Sequence, residues 1–169
     1  MKSIIVLHSY HHNNTRKVAE AIGDIIGACI KSPMETNEEE FLEFNLIGFG
    51  SGIDSGKHYK ELLDFVDKLP SVENKKCFIF STSAIQGEEK VKKDHTRLRD
   101  ILLSKGYEVI GEFSCKGFNT NSFLKYFGGM NKNRPNNEDI NNAKKFASKL
   151  KVLSQMCWYK IHIFSTQKY

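Results

Sequence analysis

No apolar run in this 169-residue chain approaches the ~18 residues of a membrane span. The opening stretch MKSIIVLHSY has too short an apolar part, and no cleavage site, to read as a secretory signal, so the cytoplasm is the expected location. Cysteine is sparse: Cys29, Cys77, Cys115 and Cys157 stand far apart with no Cys-x-x-Cys spacing. Neither a zinc ribbon nor a dithiol redox pair is expected, and the thiols read as reduced and mostly buried. His8, His11 and His12 have no nearby carboxylate or cysteine to complete a ligand set. They read as loop histidines, and no metal is expected.

A complete phosphate-gripping P-loop is also missing. In GFGSGIDSGKH, residues 48–58, taking Gly56 and Lys57 as the final Gly-Lys puts Ser51 where the first glycine belongs and His58 where a metal-holding hydroxyl belongs. Triphosphate chemistry is thereby set aside. The formal charge is +5, which can attract nucleic acid, anionic surfaces or phosphate-bearing ligands. The densest basic cluster, KVKKDHTRLR at residues 90–99, follows Glu88 and Glu89 on a helix and carries no interleaved aromatics. It reads as a solvated helix face, with His95 and likewise His58 on helix surfaces, and no nucleic-acid partner is expected.

What is present is alternation. SIIVLHSY is a strand, and TRKVAEAIGDIIGACI repeats Val18, Ile22, Ile25 and Cys29 at helical spacing. A weak strand is expected around residues 31–36. NLIGFG is a clear strand, and KHYKELLDFVDKLP a helix through Tyr59, Leu62, Leu63, Val66 and Leu69, stopped by Pro70. KKCFIFSTSA is a strand emptying into a polar turn. EEKVKKDHTRLRDILLSKG is a helix with acids in its first turn and Gly106 after its last, and YEVIGEFSCKGF closes the strand set. NNEDINNAKKFASKL forms a final helix with Ile140, Ala143, Ala147 and Leu150 on one face and Asn136 as its cap. Such a chain predicts one α/β domain, a three-layer α/β/α sandwich around a five-stranded parallel sheet. The doubly wound order 2-1-3-4-5 fits, with ligands bound outside the carboxyl ends of the strands. A phosphoacceptor domain of that topology would need acids ending strands 1 and 3, and IIVLHSY and LIGFGSG have none.

Four polar loops fall at that sheet edge. In SYHHNNTRKV a strand hands over to a helix, whose N-terminal amides can hold an anionic phosphate. Ser9 and Thr15 add hydroxyls, and Asn13 and Asn14 tolerate positive φ. The bland alternative is an ordinary capped turn. In the second loop Gly48, Gly50, Gly52 and Gly56 let backbone approach a flat ring closely. The STSA and CKGFNTNSF stretches complete the edge.

The runs SYHHNNT, LIGFGSGI, FSTSA, CKGF and GGMNKNRPNNEDINNAKKFA, in that order, resemble a flavodoxin-like family of bacteria and archaea, close to flavodoxins and flavodoxin-domain oxidoreductases. The resemblance covers about residues 3–150. It implies an FMN cofactor and electron transfer of one or two electrons through the flavin, without a catalytic side chain. By the same resemblance Tyr10, His11, His12, Asn13, Asn14 and Thr15 hold the FMN phosphate, with Ser9 counted at the same cofactor site for its hydroxyl, and Gly50, Ser51, Gly52, Ile53 and Asp54 flank the ring. Ser81, Thr82, Ser83 and Ala84 bind its pyrimidine side, with Phe118 and Asn119 nearby. The chain departs from the family where Asn13 replaces a glycine and where Asp54 and Ser55 replace ring-flanking aromatics. It is also basic where electron-carrying flavodoxins are acidic.

Two stretches stay open. FNTNSFLKYFGGMNKNRP carries Phe118, Phe123, Tyr126 and Phe127 and is long for a connection, so it reads either as a binding loop or as packing over the last strand. The aromatic tail at residues 151–169 lies outside the resemblance and reads as an extra strand, a dimer arm or appended sequence. Three functional readings follow. The first is an FMN electron carrier serving a redox partner protein. The second is an NAD(P)H-dependent FMN or quinone reductase. The third is a cofactor-less interaction module, motivated by Asn13, Asp54, Ser55 and the tail.

Overall fold

Alternating apolar strands and amphipathic helices condense here into a parallel sheet with helices on both faces. The computed structural model describes residues 2–120, 126 and 128–165. In chain order the elements are β1 (Ser3–His8), α1 (Asn14–Ile26), β2 (Ala28–Lys31), β3 (Leu46–Asp54), β4 (Lys57–His58), α2 (Lys60–Lys68), β5 (Lys75–Ser83), α3 (Glu88–Ser104), β6 (Tyr107–Lys116) and α4 (Asn137–Ser165). The sheet order is β2-β1-β3-β5-β6, every neighbour in it parallel. With the small antiparallel strand β4 set aside, that is the expected 2-1-3-4-5.

Side chains alternate across the strands, so each strand feeds two cores. Ile47 and Phe49 of β3 and Cys77 and Ile79 of β5 join Leu62, Val66, Leu98 and Leu102 of α2 and α3. Leu46, Phe78 and Phe80 face the other way, against Val18 and Ile22 of α1 and Ala143 and Ala147 of α4. Burying such a side chain contributes roughly 1.5–3 kcal/mol, which is why near-continuous apolar strands end up covered on both faces.

Several expectations need correction. The strand expected around residues 31–36 lies earlier, at Ala28–Lys31, because Pro33, which has no N–H to donate, opens a 3-10 turn closed by reciprocal Ser32 and Glu35 capping bonds. GFGSGI is strand rather than loop. Gly48 and Gly50 sit inside β3 because a Cβ there would lie 2.3 Å and 2.1 Å from the Phe78 and Phe80 rings. Ser55 and Gly56, with φ of 51° and 77°, then make a tight hairpin turn of two left-handed residues. That turn returns Lys57 and His58 onto β3 and delays α2 to Lys60.

The histidines expected on helix surfaces are both buried, His58 being 1% exposed and His95 0%. His58 is carried inward by the hairpin. His95 lies three and seven residues before Leu98 and Leu102, on the inward stripe of α3. The Asn136 cap does form, accepting from the Asp139 N–H at 3.1 Å while Asp139 Oδ2 accepts from the Asn136 N–H at 2.9 Å. Helix α4 runs on to Ser165, so up to there the tail is helix and not an extra strand. Phe123, Phe127 and residues 166–169 lie outside the described residues, as does the Cys157 side chain. Among the described residues no helix is long and apolar enough to cross a membrane.

Candidate cofactor site

The carboxyl ends of β1, β3, β5 and β6 open on a narrow cleft. Its floor follows from the sequence after β1. His12 and Asn13 both adopt φ of 53°, which turns the chain abruptly into α1. Asparagine is one of the few side chains that accept this conformation readily, so Asn13 holds the turn without a glycine. The Asn13 side chain caps no amide and the first turn of α1 holds no acid. The Asn14 N–H reaches the His11 carbonyl at 3.4 Å, and the following amides of Thr15 and Arg16, without an acceptor inside the helix, lie with the positive end of its dipole at the start of α1. Ser9 Oγ is buried there without a hydrogen-bond partner.

Side chains sew the neighbouring segments to this turn. The Thr15 and Thr82 hydroxyls meet at 2.8 Å, and Asn14 Nδ2 donates to the Phe118 carbonyl at 2.7 Å. His12 Nε2 meets Thr120 Oγ1 at 2.8 Å, with its ring 4.5 Å from that of Phe118. Asn131 Nδ2 donates to the Ala84 carbonyl at 2.7 Å.

Most residues expected at a cofactor come together. Ser9, Tyr10, His11, Asn14 and Thr15 line the cleft from the first loop, Gly52 and Ile53 from β3, Thr82, Ser83 and Ala84 from β5, and Phe118 and Asn119 from beyond β6. His12, Asn13, Gly50, Ser51, Asp54 and Ser81 do not line it. His12 and Asn13 shape the turn from outside, Gly50 packs on Phe80, and Asp54 is exposed. Two lining residues were not anticipated, Gly117 and Tyr59. Helical spacing assigns Tyr59 to a core stripe. The signal for its true place is Gly52, where a Cβ would lie 2.6 Å from the Tyr59 ring. Burial, and then the Asp54 carboxylate, push the Tyr59 phenol above its ordinary pKa, so it stays protonated. Among the described residues no three histidine, cysteine or acidic side chains converge to hold a metal ion.

A flavodoxin domain family matches residues 5–151. The chain belongs to this family. An uncharacterized protein of Methanocaldococcus jannaschii is 46% identical over 150 residues, 89% of this chain and 98% of that one. A short-chain flavodoxin associated with a non-canonical PDU bacterial microcompartment superposes with a TM-score of 0.69 at 17% identity, covering 92% of this chain and 100% of that one. A flavodoxin from the domain Archaea gives 0.62 at 18% identity, covering 92% and 99%. At such identities the solved structures are similar in fold alone.

Behind the cleft this flavodoxin domain carries a polar layer between the sheet and α3. Ser51, Ser81 and Ser114 stand in register on β3, β5 and β6, one step back from the cleft, which none of the three lines. Ser51 Oγ lies 2.8 Å from His58 Nδ1, and Ser81 Oγ 2.8 Å from His95 Nε2. The two imidazole rings are 4.9 Å apart. His95 Nδ1 meets Glu112 Oε2 at 2.8 Å, and Arg99 donates to both oxygens of Glu112. Burial works to raise the Glu112 pKa, but the hydrogen bonds from Arg99 and then His95 override it and hold the carboxyl at about 2. Burial, and then the neighbouring His95, hold His58 well below the ordinary imidazole pKa, so it is neutral.

Proposed function

We propose that the cleft binds FMN and that the protein transfers electrons through it. The uncapped start of α1, with the partnerless Ser9 hydroxyl beside it, carries this reading. Unpaired amides, a helix dipole and a buried hydroxyl make a phosphate site that needs no cationic side chain, and the absence of first-turn acids fits an anion there. The residues present fit the rest of the cofactor. Gly52, Ile53 and Tyr59 would form one wall for the ring, and Thr82, Ser83 and Ala84 the other. Tyr59 supplies an aromatic surface that positions 54 and 55 lack, and Ser55 is committed to the hairpin turn. When bound, the flavin supplies the redox chemistry. The chain contributes the phosphate grip, the orientation of the ring and partial exclusion of water.

Electrons are exchanged with a partner protein or with NAD(P)H, and the basic surface favours an acidic partner. The visible absorption spectrum of purified protein, after incubation with excess FMN and removal of free flavin, tests the reading. Retained flavin absorbance supports it, and its bleaching by NAD(P)H would move the assignment to a reductase. A protein that keeps no flavin is instead an interaction module on this fold.

A further inference from the structure

The Ser51 hydroxyl has one proton and two neighbours that could take it. It lies 2.8 Å from the Gly52 carbonyl and 2.8 Å from His58 Nδ1, and it accepts from the Tyr59 N–H at 3.2 Å. A hydroxyl offers one donor and two acceptor sites. All three are used when Ser51 donates to Gly52, because His58 must then donate from Nδ1 and Tyr59 from its amide. In that arrangement the far nitrogen of His58, Nε2, is a lone pair. It is buried and has no hydrogen-bond partner. Both nitrogens of His95 are already engaged with Ser81 and Glu112, so the adjacent ring offers none.

We infer that Ser51 and His58 form a two-state hydroxyl switch directly behind Gly52, which lines the cofactor cleft. In the resting state Ser51 holds the Gly52 carbonyl and His58 carries its proton on Nδ1. In the second state the Ser51 O–H turns to His58 Nδ1, the imidazole carries its proton on Nε2, and the Gly52 carbonyl loses its Ser51 donor, which a donor in the cleft would replace. The exchange adds no proton and no charge. The imidazole proton moves from Nδ1 to Nε2 while the serine proton stays on its oxygen and rotates. The second state leaves a buried Nε2–H without a partner and removes the Ser51 bond to Gly52, so without a ligand it is the less stable. A ligand that donates to Gly52 reverses the order. His58 is thus a positioning residue acting through Ser51, and the ligand half of the inference rests on the FMN reading.

Histidine side-chain nitrogen NMR of the full chain reads the switch directly, without turnover. The free protein is expected to show His58 protonated on Nδ1, and Ser51→Ala, which removes the acceptor for that proton, to shift His58 toward the Nε2–H form. Saturating FMN is expected to shift wild-type His58 in the same direction. A free protein with His58 on Nε2–H overturns the switch even if FMN binds. FMN that binds and leaves the Nδ1–H signature untouched overturns the coupling. A protein showing the Nδ1–H form and its response to Ser51→Ala, but binding no FMN, keeps the switch and loses the flavin reading.

Discussion

Glu112→Gln is the sharpest perturbation of the polar layer. Glu112 is 24% exposed at its side chain and accepts from Arg99 on both oxygens and from His95 on one. Its pKa falls from 4.5 to about 2, a difference worth about 3 kcal/mol at 1.36 kcal/mol per unit. A carboxylate whose folded pKa is depressed stabilises fully above its unfolded pKa, and that stability drains as pH falls through the folded value. Wild type should therefore lose this contribution between about pH 4.5 and pH 2. Glu112→Gln should lose about 3 kcal/mol near neutral pH, because Arg99 and His95 are left facing a neutral amide, and should lack the low-pH limb. Urea unfolding followed by circular dichroism over that range measures both. A variant within about 0.5 kcal/mol of wild type near pH 7, with an unchanged acid limb, would refute the account of the layer.

Gly50→Ala places a Cβ 2.1 Å from the Phe80 ring and should cost about 1–3 kcal/mol or more by overpacking, read from the urea midpoint. Asn13→Val puts a β-branched residue at φ 53° and should destabilise by about 1–2 kcal/mol, whereas Asn13→Gly should not destabilise. His58, neutral in the folded state, should make wild-type stability fall as pH drops below about 6.5, by up to ~1.4 kcal/mol per pH unit. Constant stability from about pH 6.5 to pH 5 would contradict its burial as a neutral group.

Much of the fold was legible because period-2 and period-3.6 patterns do not overlap in SIIVLH, KKCFIF or the α1 stretch. Alternation then implied parallel pairing through right-handed crossovers, and the strand order came from the doubly wound arrangement that five such strands fit. The glycine stretch misled for a physical reason. Local composition cannot distinguish a loop that needs φ freedom from a strand whose glycines leave room for Phe78 and Phe80. That information lies in β5, about thirty residues away. His58 and His95 were misplaced for the same reason, since imidazole has no strong preference for surface or core and its partners are far apart in sequence. The first loop was readable because strand end, turn asparagines and helix start are contiguous. Tyr59 was not, because its role appears only once the hairpin folds it against Gly52.

The central claim is that this cleft recognises FMN by its phosphate. Titrating the purified chain into FMN and, separately, into riboflavin, with flavin fluorescence as the signal, isolates that one group. The account predicts saturable binding of FMN and at least about tenfold weaker binding of riboflavin, the equivalent of roughly 1.4 kcal/mol at the start of α1. Equal affinities for the two, or no binding of either, would contradict it.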